Sequence, residues 1–203
     1  DQATGVDEAH QILAGGGPLA RERGGRLADL PAGATVATGS PRRRAQLADL
    51  RPDLRFEELR GNIDTRLAKS SSFDAIVMAK AALDRLDRHP EVVDPIDVDV
   101  MVPQVGQAAL AIECRADDHD LVELLSRLDH RATRLAVDAE RAFLARLGGD
   151  CDLPAGAHAT VADDDTITLT GVLLDAGDTT MRRFASVGQV PDELGALVAE
   201  RLL

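Results

Sequence analysis

Tryptophan and tyrosine are absent from the 203 residues, and aromatic side chains make up only 2% of them. Cores must therefore be built from Leu, Val, Ile and Ala, and nucleic-acid recognition by base stacking is disfavoured. Lysine is almost as scarce: Lys69 and Lys80 stand alone, so nearly all positive charge is arginine. Cys114 and Cys151 are the only cysteines, and neither sits in a CxxC or Cys/His spacing, so no metal site is expected. No apolar run approaches membrane-spanning length and no basic-then-apolar leader opens the chain, which points to a cytoplasmic protein without a membrane partner. There is no GxxxxGK[ST] phosphate loop, so the letters DEAH at 7–10 carry no nucleotide-binding meaning.

Acid is plentiful: 35 Asp and Glu stand against 23 Lys and Arg, for a net charge of -12. That balance repels a phosphate backbone and excludes sequence-independent nucleic-acid binding. Aspartate dominates the acids, a profile shared by salt-adapted proteomes and by GC-rich coding. Hydrophobic residues at 44% suffice for real cores.

From Ala34 onward short apolar runs alternate with short helical patterns. Residues 34–38, 54–59 and 74–79 read as strands, and the segments through Leu47 and Leu50, 63–69 and 81–86 as helices. Such alternation predicts a parallel sheet wound by right-handed crossovers. Residues 1–30, broken by GGGP and GG, read as loop with short helical pieces. Residues 108–113 (AALAIE) read as a further strand and 119–147 as a long amphipathic helical region. The tail then changes character to an antiparallel meander, with turns at 163–165 and 175–178, and a last helix opened by Pro191. The chain divides near residue 117.

Against the acidic background, TGSPRRRAQL (38–47) places three arginines in the first turn of a helix, with Ser40 as N-cap and Pro41 at N1. The helix dipole disfavours cations there, so the placement makes sense where an anion binds the same end. Arg60 and Arg66 flank the next strand-to-helix turn, and Arg85 follows the third strand. In a doubly wound sheet these turns share one edge, where ligands bind. The set therefore predicts a polyanion site, arginine being suited to forked recognition of carboxylate or phosphate. A second unusual stretch, LGGDCDLPAG (147–156), puts Cys151 in a Gly/Pro-rich loop after a helix. The residues alone leave Cys151 open between a structural and a reactive role. Cys114, in an apolar run, is expected to be buried and inert.

Six stretches carry a resemblance: TGSPRRRAQL, LRGNIDTRLAK (59–69), FDAIVMAKAALDRL (73–86), VPQVGQAALAIECR (102–115), DAERAFLARLGGDC (138–151) and DLPAGAHA (152–159). In that order they resemble the hydroxymethylbilane synthase (porphobilinogen deaminase) family, from about Leu27 to the C-terminus. The resemblance implies an α/β fold: a periplasmic-binding-protein-like domain with a parallel or mixed sheet, then a small α+β domain with an antiparallel three-stranded sheet. It divides the chain into 1–30, a remnant of or linker from an N-terminal domain; 31–102, the anion-binding domain; 103–117, a strand crossing back to the first domain; and 118–203, the C-terminal domain.

The implied activity is stepwise deaminative condensation of four porphobilinogen molecules to the linear tetrapyrrole hydroxymethylbilane by a monomeric enzyme. The resemblance assigns Cys151 to a covalent dipyrromethane cofactor held through a thioether. It assigns Arg42, Arg43, Arg60, Arg66 and Arg85 to the carboxylates of cofactor and substrate, and Ser40, Gly61 and Gln107 to the cleft lining, with Arg44 left on the surface. The family's catalytic Asp, in an SxKDxP-type motif of its first domain, has no match here, since the chain contains no Lys-Asp pair. The loop 69–73 is shortened, and Ala108 stands where the family has glycine. These departures lead to the expectation that segments of a longer protein lie outside the 203 residues. The alternative is a noncatalytic carboxylate- or phosphate-binding module, or a truncated inactive relative.

Overall fold

The computed structural model describes residues 11–15, 26–107, 109–149, 153–174 and 180–203. Cys151, Ala108, the turn at 175–178, the glycine-rich stretches at 16–18 and 24–25, and residues 7–10 lie outside the described residues.

Three runs expected as strands lie side by side: β2 (Thr35–Ala37), β3 (Arg55–Glu57) and β4 (Ala75–Ala79) are parallel in the order β3-β2-β4. The sheet continues beyond β4 with β1 (Gln11–Gly15) and then β5 (Val92–Ile96), β1 running antiparallel to both neighbours. β1 corrects the loop expected for residues 1–30. Pairing on both sides satisfies its backbone groups, and this outweighs the helix- and strand-breaking glycines that end and follow it. β5 was not anticipated because it contains Pro95, which a strand tolerates at the edge it occupies.

The connections are the expected helices: α1 (Pro41–Leu50), α2 (Ile63–Lys69) and α3 (Lys80–Arg85). Successive strand side chains point to opposite faces, so Val36 and Val77 pack with Leu47 of α1 while Ala37, Ile76 and Met78 pack with Ile63, Leu67 and Leu83. Both faces are covered, which is why these strands read as continuous apolar runs.

The region 119–147 is two helices, not one. α4 (His119–Ser126) stops at Arg127, and α5 (Arg131–Arg146) restarts behind His130. His130 has extended backbone, and its Nδ1 accepts the Thr133 N–H at 3.3 Å. This local cap interrupts an apolar pattern that Leu124, Leu125 and Leu128 would otherwise carry through. Then β6 (Ala155–Val161), β7 (Ile167–Leu173) and β8 (Arg182–Gly188) form an antiparallel meander. α5 and α6 (Pro191–Leu202) bury Ala139, Phe143, Leu194 and Val198 against it.

The strand expected within 108–113 does not form: residues 109–115 carry no ladder, and Leu110 and Ile112 are exposed. A strand needs a neighbour for its N–H and C=O groups, and among the described residues none pairs with this segment. Cys114, expected to be buried, is consequently exposed. No helix among the described residues is long and apolar enough to cross a membrane.

Candidate anion-binding site

The connection from β2 leads to β3 on one side, and the connection from β3 returns to β4 on the other, so strand order reverses at β2. A crevice outside the carboxyl end of β2 follows from this topology. The chain leaves β2 with the Thr38 N–H donating to the Glu57 carbonyl at 3.0 Å. Thr38 Oγ1 then accepts the Ser40 N–H at 3.2 Å, and Ser40 Oγ accepts the Arg43 N–H at 3.4 Å. Ser40 is thus the N-cap and Pro41 the first helical residue, as the sequence predicts.

The buried face of α1 is unlike that of an ordinary amphipathic helix. It consists of Arg42, Arg43, Ala45, Gln46 and Leu47. Arg42 is 3% exposed; its Nη1 donates to the Val102 carbonyl at 2.5 Å and its Nε to Gln104 Oε1 at 3.4 Å, both neutral acceptors. Arg43 is 9% exposed, with Nη1 3.4 Å from the Val77 carbonyl. Burial pulls the Arg42 guanidinium down to about 9, helped by the neighbouring charge of Arg43. Burial likewise lowers Arg43 to about 10, with Arg66 as the second cause. Both stay cationic at neutral pH. Desolvating such charges costs several kcal/mol, roughly, unless a counter-charge binds.

Arg66 in α2 is half-buried and donates Nε to the Gly61 carbonyl at 2.7 Å. Gly61 has φ +124, a conformation that other residues rarely adopt, and Asn62 caps α2 by accepting the Thr65 N–H. The structure therefore couples Arg42, Arg43 and Arg66. Arg60 is exposed, its Nε on Glu58 Oε1 at 2.5 Å, and Arg85 is exposed at the end of α3. Neither contributes to the shifts of Arg42 or Arg43. Arg44 is exposed. Gln107 lines a cleft of about 230 Å³ with Glu140, His158 and Thr133, and none of the five arginines lines it.

Three residues of this region escaped the sequence reading. Gln46 donates Nε2 to the Val102 carbonyl at 2.9 Å and accepts the Val102 N–H at 2.8 Å. Its signal was the i,i+4 spacing from Arg42. Gln104 receives Arg42. Glu140, 6% exposed, accepts the N–H of Gly106 at 2.7 Å and of Ala159 at 2.8 Å. It falls in phase with Ala136, Phe143 and Leu147, the apolar face of α5, and that phase was its signal.

Burial raises the Glu140 carboxyl from 4.5 to about 7, the two backbone N–H groups opposing this less strongly. Between those values the folded chain holds a proton that the unfolded chain has released, so this contribution to stability is lost as pH rises through about 7. Glu140→Gln abolishes the titration. The wild-type unfolding free energy relative to that variant is expected to fall by roughly 1–3 kcal/mol from pH 4.5 to 8 in urea melts. A flat difference would contradict it.

A family profile described as "Porphobilinogen deaminase, dipyromethane cofactor binding domain" matches residues 7–123, and one described as "Porphobilinogen deaminase, C-terminal domain" matches 134–203. The chain belongs to the porphobilinogen deaminase family. Porphobilinogen deaminase of Brevibacillus brevis is 47% identical over 187 residues, covering 91% of this chain and 60% of that protein. Its namesake from Roseiflexus sp. is 46% identical over 189 residues, covering 91% of this chain and 62% of that protein. The Shouchella clausii deaminase is 44% identical over 187 residues, with 91% and 60% covered. The chain thus spans about 60% of the length of these relatives. The profile for the cofactor-binding domain includes every arginine of the coupled set.

Proposed function

We propose that the chain carries the cofactor-binding and C-terminal parts of a hydroxymethylbilane synthase, a cytoplasmic, monomeric transferase of porphyrin biosynthesis. In that reading four porphobilinogen molecules lose ammonia and are joined into hydroxymethylbilane. The observation that carries it is the coupled set Arg42, Arg43 and Arg66, two of them buried cations, outside the carboxyl end of the central parallel strand. Forked donors that stay cationic at neutral pH, two of them buried, fit a ligand with several carboxylates.

Dipyrromethane, when bound through Cys151, supplies the anchored pyrrole on which the product grows. Arg42, Arg43 and Arg66 hold carboxylates where low dielectric strengthens each charge-assisted hydrogen bond. Arg60 and Arg85, both exposed, are assigned to carboxylates of a lengthening product. Ser40 and Gly61 belong to the arginine site, whereas Gln107 lines the separate cleft beside Glu140. Ser40 fixes the direction of α1, and Gly61 presents its carbonyl to Arg66. The assignment divides the chain into an anion-binding part up to residue 102, a crossing segment 103–117, and a C-terminal part that bears the cofactor cysteine. The chain's own residues supply no match for the family's catalytic Asp, so no proton step is assigned to them.

Intact-mass spectrometry of the purified protein, after incubation with porphobilinogen, tests the reading. Wild type is expected to carry two pyrrole units on Cys151, and Cys151→Ser none. An unmodified wild-type mass with carboxylate binding intact would favour the noncatalytic binding module instead.

A further inference from the structure

Between the two sheets the backbone of residues 102–107 forms a strap that is clasped from both sides. On one side Gln46 takes both backbone groups of Val102, while Arg42 adds bonds to the same carbonyl and to Gln104. On the other, the Glu140 carboxylate joins the Gly106 N–H of the strap to the Ala159 N–H of β6. β6 lies so close at Gly156 that a Cβ there would come 2.7 Å from the Pro103 carbonyl and 2.9 Å from Arg42 Cδ. One end of the strap therefore holds a site arginine, and the other end is held by a buried acid of the C-terminal unit.

We propose that Glu140 is a positioning residue for the arginine site: it fixes the strap, and the strap fixes the Arg42 guanidinium. The inference rests on the reading of Arg42 as a carboxylate-binding residue. A long, four-torsion side chain needs its head group anchored to present a fork in one orientation, and Val102 and Gln104 are the anchors. Only a group that accepts at both oxygens serves both Gly106 and Ala159. An amide of the same shape turns an NH2 toward one of those donors. A brace needing no such geometry would be served by an apolar side chain, without the cost of burying a carboxylate.

Backbone amide hydrogen exchange and calorimetric titration with porphobilinogen, on the 203-residue chain, test the proposal. In Glu140→Gln, exchange is expected to quicken at least about tenfold at Gly106 and also at Val102, whose N–H is bonded to Gln46, while the β7 amide of Leu169 keeps its protection. Porphobilinogen affinity falls about tenfold, and the same change has no further effect in an Arg42→Lys background. Coupling is reciprocal, so Gln46→Ala quickens exchange at Gly106. Unchanged exchange at Val102 in Glu140→Gln, or at Gly106 in Gln46→Ala, overturns the proposal. So does unchanged affinity beside a quickened strap. Absence of porphobilinogen binding by wild type refutes the functional reading, and with it the role toward Arg42, even where the two exchange results stand. Should Glu140→Gln also lose Leu169 protection, the Gln46→Ala result decides alone.

Discussion

Arg43→Met is expected to weaken porphobilinogen binding by at least about 100-fold. Arg43 is buried beside Arg42 and within reach of the Arg66 charge, and both burial and that neighbour lower its proton affinity. A ligand carboxylate gains affinity there, because Arg42 and Arg43 are already buried and shed little water on binding it. Arg43→Lys keeps the charge but loses the fork, and its affinity is expected to fall between the two. Calorimetric titration gives the affinity, and urea denaturation shows whether the fold is disturbed. Affinity and stability falling together would mark Arg43 as a structural residue.

Phe143→Ala is expected to cost about 3–5 kcal/mol of unfolding free energy, measured as a shift of the urea midpoint with an unchanged slope. With only 4 phenylalanines and no larger aromatic, the chain leaves the C-terminal core few bulky side chains. Phe143 is fully buried, and a Cβ on Gly171 of β7 would come 2.7 Å from its ring and 2.8 Å from Val198. Neighbours that small, fitted around one ring, cannot relax into the hole that truncation leaves. At temperatures where the variant stays folded, its arginine site is expected to bind as wild type does. A cost below about 1 kcal/mol would mean that the helices close over the gap.

The strand-helix alternation from Ala34 to Arg85 was legible because strands buried on both faces and helices with one apolar face leave distinct periodicities. β1 was not legible: five residues that run into a glycine tract have little local signal, and their strand exists because β4 and β5 accept them. The break at His130 was hidden by leucines that keep helical phase across it. The run at 109–115 has strand-like composition yet no partner, so composition misled there. At the site, the first-turn position of the arginines could be read from the Ser-Pro cap. Their ranking could not, since nothing in the string separates buried Arg42 and Arg43 from exposed Arg60 and Arg85. Arg42 is buried because its side of α1 meets the strap, and Arg43 because it reaches the Val77 carbonyl of β4, both long-range contacts.

The strap also explains why Gln46, Gln104 and Glu140 were overlooked. Gln46 and Glu140 bond backbone groups 56 and 34 residues away, which have no identity in a sequence, and Gln104 meets the Arg42 side chain 62 residues away. Glu140 in particular reads as one more solvated charge on an acidic chain until its phase on α5 is compared with Phe143.

The central claim is that carboxylates of a pyrrole bind at the buried arginines outside the carboxyl end of β2. Two-dimensional ¹H–¹⁵N correlation spectra recorded during titration with porphobilinogen test it most directly. The account predicts saturable shifts of the Ser40, Arg42 and Arg43 amides and of the Arg42, Arg43 and Arg66 side-chain N–H signals, all lost in Arg43→Met. Shifts confined to the cleft between Gln107 and His158, or none at saturating ligand, would contradict it.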